Sequence, residues 1–126
     1  MNERIFGEER IINSFARDDL MILLATIDGD PAGFKIGYRE SRLVFYSAKG
    51  GVMRHYRRRG IARALLEHMM TRAAHDGYRR FAFDTFPNRH PGMAVLALNY
   101  GFRITRADFN PTYRDYRIRF EIDLSS

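Results

Sequence analysis

Short apolar runs separated by tight polar breaks dominate the first half of the chain. Ile11, Ile12 and Phe15 recur at helical spacing and predict a short amphipathic helix over residues 8–18. Leu20 to Ile27 is almost continuously apolar, the pattern of a buried strand. Asp28-Gly29-Asp30-Pro31 supplies turn chemistry, and Ala32 to Arg39 resumes as a strand with Phe34, Ile36 and Tyr38 alternating. Glu40-Ser41-Arg42 reads as a second tight turn. Leu43 to Val52 returns as a third strand, in which Gly50-Gly51 signals a bulge or a close backbone approach.

Two helical patterns follow. From about Arg58 to Asp76, the rows Ile61-Leu65-Met69-Ala73 and Ala62-Leu66-Met70-Ala74 make one wide apolar stripe, and Gly77 stands where a left-handed cap is expected. After a short strand, Phe81 to Thr85, a second helix starts near Pro91, carries Met93, Leu96, Ala97 and Tyr100 on one face, and stops at Gly101. Phe102 to Phe109 begins another strand. In the last strand Tyr116, Ile118, Phe120, Ile122 and Leu124 alternate with Arg117, Arg119, Glu121 and Asp123, so one face is dry and the other wet. Helix, three-strand meander, helix, strand, helix and two strands make an α/β fold with a mixed sheet.

Length and composition narrow the function classes. The 126 residues suit a single domain spanning 1–126, without repeats or linker-like tracts. The chain has no cysteine, which excludes disulfides, thiolate nucleophiles and cysteine-based zinc sites. No apolar run approaches membrane-spanning length, and Met1 to Arg4 carries no leader pattern, so a cytoplasmic protein without membrane association is expected. His55, His68, His75 and His90 read as surface residues, and no metal site is assigned. Net charge is +6, and Arg54, Arg57, Arg58, Arg59 and Arg63 concentrate it in one stretch, favouring an anionic partner.

That stretch has a particular form: a strand ends at Val52, a basic loop follows, and a strong helix begins. Free N–H groups and the positive end of the dipole at a helix start hold phosphate, and the small residues Gly60 and Ala62 would let it approach the backbone. The motif is Arg57-x-x-Gly60-x-Ala62, neither a P-loop nor a dinucleotide fingerprint. Here the sequence resembles the GNAT superfamily of acetyl-CoA-dependent N-acetyltransferases, whose signature is Arg/Gln-x-x-Gly-x-Gly/Ala at such a junction. Tyr56-Arg57, Gly50-Gly51-Val52, Ile61 to Leu66, and Asn88 to Gly101-Phe102 fit the same pattern, and the likeness runs from about Leu20 to Leu124.

The resemblance implies a mixed, mostly antiparallel sheet flanked by helices, with a first strand shortened or missing. It implies acetyl-CoA as co-substrate, with the Val52-Met53 backbone pairing with the pantetheine arm. Amides from Arg58 through Gly60 and Ile61 to Ala62 would hold the pyrophosphate. Arg57, Arg58 or Arg59 would reach the 3′-phosphate, and Asn88 would line the pantetheine channel. A splay between the Val52 strand and the Phe81–Thr85 strand would admit the cofactor.

The implied reaction is direct attack by a primary amine of a small molecule, amino acid or peptide on the thioester in a ternary complex. Deprotonating a lysine-like amine at pH 7 costs roughly 4–5 kcal/mol, which calls for a proton acceptor. Asp84, at a strand end, is a candidate acceptor, or else a solvated carboxylate or one that pairs with a nearby arginine. A backbone N–H near Met53 is a candidate to polarise the carbonyl. Many family members place a tyrosine four residues before the Gly-Phe glycine as general acid. Here that position is Ala97, leaving Tyr100 as a candidate substitute beside Tyr113 and Tyr116. Two other readings stay open: a catalytically degenerate CoA-binding regulatory module, and a basic nucleic-acid-binding module, which the glycine inside the arginine cluster disfavours. The short segment before Leu20 would leave a sheet edge able to pair with a second copy, a route to a homodimer.

Overall fold

The computed structural model describes residues 2–5, 10–17 and 19–124. Strands β1 (Asn2–Ile5), β2 (Arg10–Arg17), β3 (Leu20–Ile27), β4 (Asp30–Ser41) and β5 (Val44–Val52) run consecutively; helix α1 (Ile61–His75), strand β6 (Arg80–Thr85), helix α2 (Pro91–Tyr100) and strands β7 (Arg103–Asn110) and β8 (Asp115–Asp123) follow. All eight strands form one sheet, ordered β1-β2-β3-β4-β5-β6-β8-β7. Every neighbouring pair is antiparallel except β5 and β6. The mixed α/β architecture expected from the sequence is therefore present, and its first strand is short, at four residues.

The helix expected over residues 8–18 is instead β2; residues 8, 9 and 18 lie outside the described residues. Arg10 through Arg17 pair in unbroken register with β3, from Arg10 opposite Ile27 to Arg17 opposite Leu20. Ile11 and Ile12 are β-branched and suit a pleated surface, so the i, i+4 match of Ile11 and Phe15 misleads. Phe15 ends 59% exposed, not on a buried helical face.

β3 departs from expectation in a related way. Met21, Leu23, Ala25 and Ile27 are buried under α1, whereas Leu20 and Ile22 on the other face are 40% and 36% exposed. Its continuous apolar run suggests cover on both faces, but only one is covered among the described residues.

The main core lies between that covered face and the two helices. Phe45, Phe81, Phe83, Phe102 and Phe120 form a connected aromatic series, with Phe83 and Phe102 edge-on at 5.4 Å between centroids and Phe83 and Phe120 stacked at 5.4 Å. α1 starts at Ile61, three residues later than the sequence suggests, because Arg58 (φ 64°) and Gly60 (φ 76°) both adopt left-handed backbone. Ile61, Ala64, Leu65, Leu66, His68, Met69 and Ala73 form its buried face, whereas Ala74 is exposed. The stripe is rotated relative to the rows expected, and it carries His68 inside instead of leaving it on the surface. α1 ends as expected: Gly77 is left-handed, its N–H donates to the Ala74 carbonyl, and that of Tyr78 donates to Ala73.

α1 lies directly on β4 because the positions beneath it are glycines. A Cβ at Gly33 would stand 3.2 Å from Ile61 Cγ2 and 3.3 Å from Leu65 Cδ1, and one at Gly37 would stand 3.0 Å from Met69 Sδ. The residue between them on the same face is Lys35.

Gly50-Gly51 does not form a bulge. Both residues stay in register, opposite Lys35 and Phe34, and a Cβ at Gly50 would stand 3.2 Å from the Phe34 carbonyl oxygen. The register shift in β5 falls instead at Ala48, between Ser47 (opposite Gly37) and Lys49 (opposite Ile36).

Candidate active site

The parallel pairing of β5 with β6 is brief. It runs from Val44 opposite Arg80 to Ser47 opposite Phe83 and stops there, while β5 continues to Val52 and β6 to Thr85. Beyond Ser47 the two strands part, and a cleft of about 920 Å³ opens between them. Its walls are the diverging part of β5, residues Phe83 to Thr85 of β6, the loop before α1, and the N-terminal turns of both helices.

The loop before α1 is shaped for this position. Met53 to Tyr56 makes a 3-10 turn, Arg57 is extended (φ −68°, ψ 155°), and the left-handed Arg58 and Gly60 swing the chain into α1. A left-handed non-glycine residue costs about 1–2 kcal/mol, so the path at Arg58 is held by the surrounding structure. The Gly60 carbonyl accepts from Ala64 N–H at 3.0 Å, closing the first helical turn. Among the described residues no side chain caps that helix start, so the N–H groups of its first turn, which line the cleft, have no intrahelical partner.

The sequence-designated residues divide. Val52, Arg57, Arg58, Gly60, Ile61 and Ala62 all line the cleft, as does Arg63. Arg59 does not; its guanidinium lies over the Tyr56 ring at 5.5 Å. Met53 also lies outside the lining, and its N–H donates to the Ala32 carbonyl at 2.8 Å, so it is not available to polarise a thioester. Asn88 is exposed and outside the lining; its side-chain amide donates to Asp115 Oδ1 at 2.9 Å. With Arg89, which reaches the Tyr113 carbonyl at 2.7 Å, Asn88 fastens the β6–α2 loop to the β7–β8 turn.

The two catalytic candidates separate as well. Asp84 lines the cleft. Strand alternation places it on the sheet face opposite α1, with Tyr46 and Ala82. Tyr46 Oη donates to Asp84 Oδ2 in a short contact, and Arg117 Nη2 approaches that oxygen at 3.3 Å and the tyrosine oxygen at 3.1 Å. Burial, and then the Asp84 carboxylate, push the Tyr46 hydroxyl up to about 12, so it remains a donor. Both contacts fall on Oδ2, so Oδ1 receives no donor among the described residues. Behind them Arg119 binds Glu40 through both terminal nitrogens and Glu121 through Nε at 2.9 Å. The hydrogen-bonded Glu40 carboxylate raises the Arg119 pKa above the ordinary guanidinium value, which fixes it as a cation.

Tyr100 sits outside the cleft lining. Its oxygen accepts from Arg63 Nε at 3.2 Å and its ring lies under the same guanidinium at 5.2 Å. Burial, and then a hydrogen bond to Glu67, raise its pKa. It steadies Arg63 and does not face the splay. Ala97 is fully buried inside α2.

The sequence reading passed over Lys35, which lines the cleft at 7% exposure. Its signal was available: a lysine at an inward position of β4, two residues from a glycine on either side. Among the described residues no group of three His, Asp or Glu side chains could hold a metal ion, and no helix is long and apolar enough to cross a membrane.

Comparison with known proteins bears on this geometry. Residues 9–90 match the family described as "Acetyltransferase (GNAT) domain". No curated protein matches. Several solved structures share the fold. The ribosomal-protein-S18-alanine N-acetyltransferase of Escherichia coli superposes with TM-score 0.77 at 20% identity, over 88% of this chain and 73% of its own. A GNAT family acetyltransferase of Elizabethkingia anophelis with acetyl-CoA bound gives TM-score 0.76 at 19% identity, over 83% and 76%. The IAA acetyltransferase of Bacillus cereus gives TM-score 0.76 at 19% identity, over 83% and 78%. With the family match spanning well over half of its residues, and a sheet that parts beside an uncapped helix start, this chain belongs to the GNAT acetyltransferase family.

Proposed function

We propose that the protein transfers an acetyl group from acetyl-CoA to a primary amine within a ternary complex. The observation that carries this reading is a single cleft joining the parted strands β5 and β6 to the uncapped start of α1. The pyrophosphate would lie on the N–H groups of Ile61 and Ala62, with Arg57 and Arg58 supplying charge. The pantetheine amides would pair with the stretch of β5 beyond Ser47 that β6 leaves open.

With the Met53 N–H engaged, the donor for the thioester carbonyl falls to the open stretch of β5. Ala48 is the natural choice, because it sits at the register shift and matches neither β4 nor β6. The acceptor amine would enter on the face that carries Asp84, whose Oδ1 takes its proton directly or through a water. A nucleic-acid face is less well supported: Arg57, Arg58 and Arg63 converge on one cleft instead of spreading along a groove.

Calorimetric titration separates these readings. Acetyl-CoA is expected to bind saturably, one per chain, and the complex to release thiol when a suitable amine is added. Binding without turnover across a broad amine panel would favour the regulatory CoA-binding module.

A further inference from the structure

Lys35 has no role in the reading above, and its surroundings are unusual. It is the only lysine or arginine among the buried residues described, at 7% exposure. Because Gly33 and Gly37 let α1 settle onto β4, its stem leans over β5: a Cβ at Gly50 would stand 3.5 Å from Lys35 Cγ. From there it lines the cleft with Ser47, Leu65 and Phe83. No hydrogen bond or ion pair reaches its amine among the described residues, and burial lowers its pKa to about 8. The other charged or titratable groups lining the cleft are Lys49, Tyr56, Arg57, Arg58, Arg63, Asp84 and His90. Asp84, the one carboxylate, lies on the opposite sheet face and is held by Tyr46 and Arg117.

A buried ammonium without a counter-ion is costly, and an apolar side chain of the same length would be more stable there. Such a site becomes favourable when an anion arrives. Position narrows which anion. Along β5 from the α1 loop inward come Val52, Gly50 and Ser47, and Lys35 pairs with Gly50. Its backbone therefore lies about 7 Å along β4 from Gly33, the partner of Val52, and about 7 Å from Gly37, the partner of Ser47 where the strands join, beside the open stretch of β5. Thioester aminolysis develops negative charge at the carbonyl oxygen and then at sulfur. The oxygen has backbone donors and the phosphates have the α1 cradle. The sulfur has no assigned partner, since Ala97 is buried in α2 and Tyr100 faces Arg63.

We propose, resting on the acetyl-CoA reading, that the Lys35 ammonium is the counter-charge and proton donor for the thiolate that leaves as CoA. The amine nitrogen bonds to the thioester carbon, the C–S bond breaks, and its electron pair goes to sulfur. Lys35 gives sulfur a proton, producing the thiol and a neutral amine, while the proton shed by the acceptor nitrogen passes to Asp84 or water. Solvent then reprotonates Lys35. A free thiol titrates near 8.5, so proton transfer between it and Lys35 is nearly balanced in energy.

The test needs no knowledge of the acceptor. CoA is bound to the wild type and to Lys35→Met, with affinity measured by calorimetry, and the bound thiol is titrated by its thiolate ultraviolet absorbance. In the wild type the bound thiol is expected to titrate about one unit below that of free CoA, a tenfold shift. In Lys35→Met, at CoA concentrations that saturate the variant, it should titrate at or above the free value. A wild-type thiol that titrates like free CoA, or an equal shift in both proteins, overturns the assignment even though CoA binds. Failure of the wild type to bind CoA overturns the acetyl-CoA reading itself, and Lys35's role with it.

Discussion

Gly60 carries more of the cofactor reading than any other single residue, because it is both left-handed and at the start of α1. Gly60→Glu places a carboxylate where a pyrophosphate is expected. Like-charge contact of that kind costs several kcal/mol, so acetyl-CoA affinity should fall about 100-fold or more while circular dichroism stays native. Unchanged affinity would relocate the phosphates. Lys35 gives a stability prediction of its own. Its folded pKa lies below its unfolded value, so between about pH 8 and pH 10 the unfolded chain binds the extra proton and stability rises with pH. Lys35→Met should be more stable than the wild type by about 2 kcal/mol at pH 7, and the difference should shrink as the pH approaches 10. Urea denaturation of both proteins at pH 7 and pH 9.5 checks this; a constant difference would mean that Lys35 is solvated. Above pH 10 Tyr46 acts in the opposite sense. Its raised folded pKa means that the stability it contributes is lost as the pH climbs toward 12.

At the scale of elements, the most legible segment was the strand–loop–helix run from Val52 to Ala62. A glycine, a small residue and clustered arginines preceding an apolar stripe are local features, and the structure puts Val52, Arg57, Arg58 and Gly60 to Ala62 along one cleft. The cap at Gly77 and the stop at Gly101 were legible for the same reason, since a left-handed residue at a helix end is a local demand. What the sequence hid was tertiary. Arg10–Arg17 reads as a helix until it is paired residue by residue with β3. Asn88 reads as a cleft residue until Asp115, 27 positions away, takes its amide. Asn88→Ala is accordingly expected to leave acetyl-CoA affinity within about twofold, a surface change away from the cofactor. A larger loss in calorimetry would return Asn88 to the pantetheine channel. Arg58→Ala, by contrast, should weaken CoA by about tenfold and dephospho-CoA much less, if that guanidinium reads the 3′-phosphate. Equal losses would exclude this role.

Across the whole molecule, the sheet is two antiparallel blocks, β1 to β5 and β6-β8-β7, joined by four parallel residue pairs from Val44–Arg80 to Ser47–Phe83. Parallel pairing is the weaker kind per residue, and here it ends where both strands continue, so the molecule opens along that seam. Positive charge collects there, with Lys35, Lys49, Arg57, Arg58 and Arg63 on the cleft wall against the single carboxylate Asp84. The seam was not legible from hydrophobic periodicity, which gives strands but not their neighbours; it was expected only through resemblance to a family. The most direct test of the central claim is calorimetric titration of acetyl-CoA at two salt concentrations, with a random oligonucleotide as parallel ligand. Saturable binding of one acetyl-CoA per chain, with the oligonucleotide much weaker, is the expected result. No acetyl-CoA binding, together with salt-sensitive oligonucleotide binding, would contradict it and make the arginine cluster a nucleic-acid surface.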